Sequence, residues 1–391
     1  MIRKVRYLIF LKDILILSVT CFGGAQAHLA FFLERLVKKR AYLTEDDLME
    51  LTALTSILPG PASTQILTSL GFKIGGPNLA YLTLLVWIMP GVVLMTGLGI
   101  FINYLNANNL DLSFTKFIQP MAVGFVSYAA LMISTKLVKT KDALAIMVVS
   151  IIVTYYVSSP YLFPVLLLMA GSLTAFKFER QSIEEKEKIN IKWANFLLWG
   201  GVFIAAAVTG AITQWKGMLI FENFYRNGSL IFGGGQVLIP LIYTEFVEFK
   251  AFLSSEEFLI GYGLAQGLPG PTFAFSAFVG ALSMREMGIG GEIGGGILAA
   301  LGIFLPGTFL IFFVIRIWEG LKKYRVVRAS LEGINAASAG MVAATAIILF
   351  DPIDGSFLNI FVIVGTFCTL YFTKIPAPFI ILAGLIAGLI F

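Results

Sequence analysis

Apolar stretches long enough to cross much or all of a bilayer's hydrocarbon core recur along the whole chain, at 78–102, 117–135, 142–157, 160–177, 194–213, 291–315, 333–350, 357–373 and 376–391. Charged residues fall mostly in the short breaks between them. In lipid only helices and closed barrels satisfy every backbone group internally, and runs this long and uniform predict helices. The expected fold class is therefore an all-α integral membrane protein, passing many times through the cell (inner) membrane. Composition agrees: of 391 residues, 58% are hydrophobic and only 13% charged, where soluble domains carry about 25% charged residues. The net charge of +5 does not point to nucleic acid, because the Lys and Arg residues sit where they set membrane orientation. The start, Met1 to Arg6 before an apolar run, resembles a secretory signal, yet Lys12 and Asp13 interrupt that run; this segment is expected to belong to the mature protein. With one histidine and only Cys21 and Cys368, neither a disulfide framework nor a Cys/His metal cluster can be built, and no cofactor is expected.

The chain repeats itself. Residues 22–61 align without a gap on 232–271, and 12 of the 40 pairs are identical. Phe22-Gly23-Gly24 matches Phe232-Gly233-Gly234, Gln26 matches Gln236, and Leu58-Pro59-Gly60-Pro61 matches Leu268-Pro269-Gly270-Pro271. After a six-residue insertion, Pro90-Gly91 matches Pro306-Gly307 and Gly124 matches Gly340. This divides the chain into an N-terminal repeat (1–176), a polar linker with a connecting helix (177–213), and a C-terminal repeat (214–391).

Equivalent loops carry opposite charge. The first repeat places Arg35, Lys38, Lys39 and Arg40 where the second has Lys250 among Glu245, Glu248, Glu256 and Glu257. The nearly uncharged stretch 103–115 corresponds to one holding Arg316, Lys322, Lys323, Arg325 and Arg328. Applied to both repeats, the excess of positive charge on cytoplasmic loops predicts inverted topology. The stretch 194–213 has no partner in the first repeat and supplies the extra crossing that inversion requires.

Two segments per repeat should be broken inside the membrane. Residues 8–37 contain the Gly-Gly pair, and 48–72 contain Pro59-Gly60-Pro61 with about 11 residues on either side, each arm covering roughly half the core at about 1.5 Å per residue. If the ends lie on one side, both segments re-enter, and four tips meet near the midplane. Proline removes a donor and glycine relaxes the backbone, so the tips expose peptide groups that lipid cannot satisfy. Helix N-termini at Ser63, Thr64 and Thr272, with the amides of Gln26 and Gln236, are suited to an anion. The candidate binding set is Gly23, Gly24, Gln26, Pro59, Gly60, Pro61, Ser63, Thr64, Gly233, Gly234, Gln236, Pro269, Gly270, Pro271 and Thr272.

Each has a plainer alternative: glycine and proline also serve close helix packing in membranes, and Ser63 and Thr64 can cap or back-bond their own helix. His28, four residues past the Gly-Gly pair and replaced by Leu238 in the second repeat, is the candidate for proton coupling; the alternative is a hydrogen-bonded or interfacial imidazole. Lys12, Asp13, Glu34, Arg35, Lys73, Glu222 and Arg226 are ionisable groups beside apolar segments, for which function and snorkelling are competing explanations.

With its paired Phe-Gly-Gly and Pro-Gly-Pro elements, the whole chain resembles the chromate ion transporter family in its two-domain form; Ala25 departs from the proline expected after the first Gly-Gly. The resemblance implies an inner-membrane carrier of chromate or sulfate, with chromate efflux. The leading expectation is thus a secondary transporter of a small tetrahedral oxyanion working by alternating access. An anion channel lined by re-entrant loops, and a carrier of another small anion, are the alternatives; an enzyme is not expected, since no nucleophile–base constellation stands out. Self-association as a homodimer is left open by the residues.

Overall fold

The computed structural model describes residues 2–110, 112–157, 159–177, 191–232, 235–318 and 324–390. Most of the polar linker, with Lys322 and Lys323, lies outside them, as do Gly233 and Gly234. Among the described residues every regular element is helical. Five helical stretches are long and apolar enough to cross a membrane: Ala62–Ala107, Ser113–Leu137, Ala194–Thr213, Arg285–Val314 and Arg325–Ile348. The exterior is apolar too. On the 194–213 helix Leu197, Ile204 and Ile212 are 67%, 63% and 77% exposed, tolerable in hydrocarbon and not in water.

In chain order the helices are α1 (Ile2–Thr20), α2 (Gly24–Phe32), α3 (Glu45–Ile57), α4 (Ala62–Ala107), α5 (Ile118–Leu137), α6 (Lys141–Tyr156), α7 (Leu162–Ala175), α8 (Ala194–Thr213), α9 (Lys216–Gly228), α10 (Leu238–Tyr243), α11 (Ser255–Gly267), α12 (Phe275–Ser283), α13 (Gly288–Val314), α14 (Arg325–Ile348), α15 (Phe357–Phe372) and α16 (Ala377–Ile390). The breaks predicted at the Gly-Gly pair and at Pro-Gly-Pro separate α1 from α2 and α3 from α4. Four of the expected spans, α6, α7, α15 and α16, hold only 14 to 16 residues, some 21 to 24 Å at 1.5 Å per residue, short of the ~30 Å core.

The repeat is written into the backbone. Each copy has a π-helical stretch at the same place, Leu33–Lys39 and Thr244–Phe249, followed by an alanine at positive φ, 49° at Ala41 and 50° at Ala251. Next comes a matched helix start. The Thr44 side chain accepts from the Asp47 N–H at 3.1 Å while Asp47 accepts from the Thr44 N–H, and Ser254 and Glu257 do the same, a capping box worth about 1 kcal/mol each time. Farther on, Gly76 (φ 76°, ψ −166°) and Gly288 (φ 67°, ψ −169°) break the following helix in the same way, in a region of backbone space that essentially only glycine occupies.

The chain forms two compact units, each assembled from pieces of both repeats: Met1–Asn108, Trp193–Ser229 and Ala265–Ile315 in the first, and Asn109–Lys192, Leu230–Leu264 and Arg316–Phe391 in the second. In the first unit α13 packs on α9, α12, α4 and α8, and α4 also packs on α1 and α12. Glycines set these distances: the Gly280 and Gly295 backbones touch between α12 and α13, and Gly302 lies on the Phe221 carbonyl of α9. In the second, α14 packs on α5, α6 and α7, with Gly333 against the Ala170 carbonyl and Gly340 against that of Met147. Phe117, Ile118, Met121, Phe125, Ile380 and Ile381 form a core between α5 and α16.

A methyl group on Gly280 would collide with the Gly295 carbonyl, whereas one on Gly290 would meet nothing within 4 Å. Gly280→Ala should therefore cost about 1–3 kcal/mol of overpacking and lower the thermal midpoint in detergent, with Gly290→Ala close to wild type. Equal midpoints for the two variants would contradict the packing described.

Candidate functional site

Three of the four predicted tips belong to the first unit. After α1 the chain turns through Cys21 to Gly23 (φ 86°) and Gly24 (φ 77°), where α2 begins. After α3 it runs extended through Leu58 to Gly60 (φ 111°), and α4 starts beyond Pro61. After α11 it does the same at Gly270 (φ 102°), followed by a 3-10 turn, Thr272–Ala274, and then α12. Gly60 and Gly270 must be glycine, since a side chain at these angles would clash with its own backbone.

Each Pro-Gly-Pro tip rests on the proline-containing helix of the other repeat. A methyl on Gly60 would sit 3.0 Å from the Gly307 Cα and 3.7 Å from the Gly228 carbonyl oxygen; on Gly270 it would sit 3.8 Å from the Gly91 Cα and 3.4 Å from the Ser18 oxygen. Gly91 and Gly307 are repeat equivalents, as are Ser18 and Gly228. The Pro-Gly pairs at 90–91 and 306–307 thus present bare backbone where a tip docks, which is their physical reason for matching in the sequence.

The Gly-Gly turn of the first repeat meets the Pro-Gly-Pro tip of the second. The Gly270 N–H donates to the Cys21 carbonyl at 2.9 Å, closing a peptide pair that hydrocarbon could not satisfy. Beside this bond lies a cavity of about 20 Å³ lined by Gly23, Gly24, Gly91, Met95, Gln266, Thr272 and the Pro269–Pro271 tip, among others. Two helix starts, at Gly24 and Thr272, line it, and first-turn N–H groups lack intrahelical partners. The Gln266 Nε2 is buried without a hydrogen-bond partner. The site is therefore rich in donors and has no charged residue among its lining.

The other predicted residues lie apart from it. Gly60 and Pro61 meet Gly307 of α13, the Pro59 carbonyl accepts from Gln65, and Ser63 and Thr64 are buried in the first turn of α4, where the Thr64 hydroxyl accepts from Trp87 Nε1 at 3.0 Å. Gln236 belongs to the second unit, where its Oε1 accepts from the Tyr262 hydroxyl at 2.8 Å. Gln26 lies in the first turn of α2, and Gly233 and Gly234 lie outside the described residues. His28 is fully buried with neither nitrogen hydrogen-bonded; it stands edge-on to Trp87, ring centres 5.5 Å apart. A hydrogen-bonded or interfacial imidazole is not what the structure shows, because α2 turns this side chain into an aromatic pack.

Several polar residues here have partners that the sequence did not reveal. Gln65 donates through Nε2 to the Pro59 and Gly307 carbonyls, at 2.7 and 3.2 Å. Glu292 is buried on α13 and accepts from Asn103 at 2.8 Å. Gln266 stands three residues before Pro-Gly-Pro where the first repeat has Ser56, a polar residue at the end of an apolar arm that could have been noticed. Asp13, for which snorkelling competed, is fully buried: it accepts from Arg35 Nη2 at 2.7 Å, Arg40 Nε at 2.8 Å and the Tyr42 hydroxyl at 2.8 Å. Among the described residues no group of three or more His, Cys, Asp or Glu could hold a metal.

Asp13 ties α1 to the loop after α2, and removing its charge leaves Arg35 and Arg40 without a counter-ion. Asp13→Ala should destabilise the protein by about 3–5 kcal/mol, measured as the detergent unfolding midpoint, and Arg40→Gln, at a half-exposed partner, by less. An unchanged midpoint for Asp13→Ala would contradict the strut.

A family model described as chromate transporter matches residues 8–175 and 218–389. An uncharacterized transporter of Methanocaldococcus jannaschii is 24% identical over 391 residues, covering 98% of this chain and 92% of the relative. A probable chromate transport protein of Synechococcus elongatus is 24% identical over 95% of this chain and 92% of its own length. A chromate transport protein of Pseudomonas aeruginosa is 24% identical over 84% and 78%. No solved structure matches the chain.

Proposed function

The chain belongs to the chromate transporter family, and from that premise we propose that it is a secondary carrier of a small tetrahedral oxyanion, chromate or sulfate. It is a multi-pass protein of the cell membrane. The observation that carries the reading is the donor-rich cavity where Gly23 and Gly24 meet Pro269–Thr272, with the unpaired Gln266 amide. Backbone N–H groups at helix starts bind an anion without a buried cation, and selectivity rests on shape and hydrogen-bond count. Chromate and sulfate, near-isosteric dianions, satisfy such donors alike.

About 20 Å³ is the room of a single water, not of an anion. Seating the substrate requires the tips to part, as alternating access supplies. In this reading the two repeats are inverted, and the net direction is efflux. His28, packed on Trp87 next to the first Gly-Gly turn, is the group we assign to proton coupling. The names of the chromate transport relatives support the substrate class.

The test is flux of radiolabelled sulfate and chromate into proteoliposomes, with and without a proton gradient. Gln266→Leu should raise KM by about tenfold or more, as expected for losing a hydrogen bond to a charged group, with Pro59→Ala plus Pro269→Ala abolishing saturable flux. High unitary conductance would make the protein a channel. Folded protein that moves neither anion would end the oxyanion assignment.

A further inference from the structure

The two Pro-Gly-Pro contacts are geometric twins, yet one residue makes them chemically unlike. Gln65 of the first repeat is replaced by Phe275 in the second. Gln65 is 1% exposed, and its single Nε2 reaches two carbonyls: Pro59, in its own tip, and Gly307, on α13. It therefore staples the first tip to the proline-containing helix on which that tip rests. Phe275 has no donor and stacks on Phe278, ring centres 5.8 Å apart. At the second tip the carbonyl side of the contact holds no such bridge, and the cavity lies there instead.

A buried side-chain amide bonded to two carbonyls has no water to exchange with, so breaking the staple leaves the Gln65 Nε2 and the Pro59 carbonyl, which lies outside any helix, without this bond. Next to Gly91 lie the Ala274 methyl and the Pro271 ring, neither of which can donate a hydrogen bond. The backbone bond from Gly270 to Cys21 is a polar tie of the second tip, and an anion's own acceptors can replace it for the Gly270 N–H.

Building on the carrier reading, we propose that Gln65 is a positioning residue that holds the first Pro-Gly-Pro tip fixed on α13, so that the anion site opens and closes through the second tip. The repeats thus divide the labour: the first is a static bearing, the second the moving gate. Gln65 need not touch the anion.

Paired cysteine reporters at repeat-equivalent positions test this, Leu58→Cys at the first tip and Leu268→Cys at the second, each in the full-length chain carrying Cys21→Ser and Cys368→Ser. Reaction with N-ethylmaleimide in proteoliposomes reads how often each tip opens. Sulfate should change the Leu268→Cys rate about threefold or more and leave Leu58→Cys within about 1.5-fold. Adding Gln65→Met should accelerate Leu58→Cys about tenfold, whereas Phe275→Met should leave Leu268→Cys within about twofold. Gln65→Asn, which keeps the amide but is one carbon too short to bridge both carbonyls, should act as Gln65→Met does and serves should the latter misfold. In otherwise wild-type protein Gln65→Met should lower maximal flux while KM for sulfate stays within about twofold.

A Leu58→Cys rate that Gln65→Met and Gln65→Asn leave unchanged would overturn the proposal, as would equal sulfate responses at both tips. If sulfate alters neither rate and no flux is seen, the oxyanion reading falls; acceleration of Leu58→Cys by Gln65→Met would still establish the staple, and its lack would remove both.

Discussion

Backbone polar groups inside hydrocarbon must find partners within the protein, and the first unit is arranged around that requirement. A helix broken at Gly-Gly or Pro-Gly-Pro frees N–H and C=O groups that an intact helix would pair. One such pair is closed by the Gly270 N–H on the Cys21 carbonyl, and a side chain, Gln65, serves the Pro59 carbonyl beyond the end of α3 while also reaching the Gly307 carbonyl of α13. The Gln266 amide is left buried without a partner beside the helix starts at Gly24 and Thr272, and no lysine or arginine lines that cavity.

Close approach follows from the same constraint. A tip can dock only where the facing helix exposes bare backbone, which Gly91 and Gly307 provide. The proline before each removes a helix donor. Replacing these glycines would hold the tips away, and the peptide pairs would be lost with them. Charged groups pair within this unit: Asp13 with Arg35, Arg40 and Tyr42 fastens α1 to the segment after α2, and Lys73 pairs with Asp47 of the α3 capping box at 3.6 Å.

Duplication supplies the geometry and divergence supplies the asymmetry. The two copies retain the π-helical stretches, the positive-φ alanines, the capping boxes and the glycine breaks, all of them backbone features that tolerate wide side-chain change. They differ at Gln65 and Phe275, at Ser56 and Gln266, and at His28 and Leu238. These are the positions where the two copies of one scaffold part company in side-chain chemistry.

What the chain's order alone determined is the solvent, the helical class, the duplication, and the break points at residues 23–24, 59–61 and 269–271, because hydropathy, glycine and proline act locally and leave their mark in the spacing. The partners of those breaks were not legible. That Gly270 meets Cys21, that Gly60 meets Gly307, and that His28 is packed against Trp87 are contacts between residues from about 59 to 249 positions apart, decided by helix packing that no local pattern encodes. Likewise Ser63 and Thr64 resembled Thr272 as helix starts, and only the tertiary structure separated them. Trp87 takes the Thr64 hydroxyl and Gln65 fills the first contact, while the second keeps its cavity, since which donors remain free depends on what each helix is pressed against.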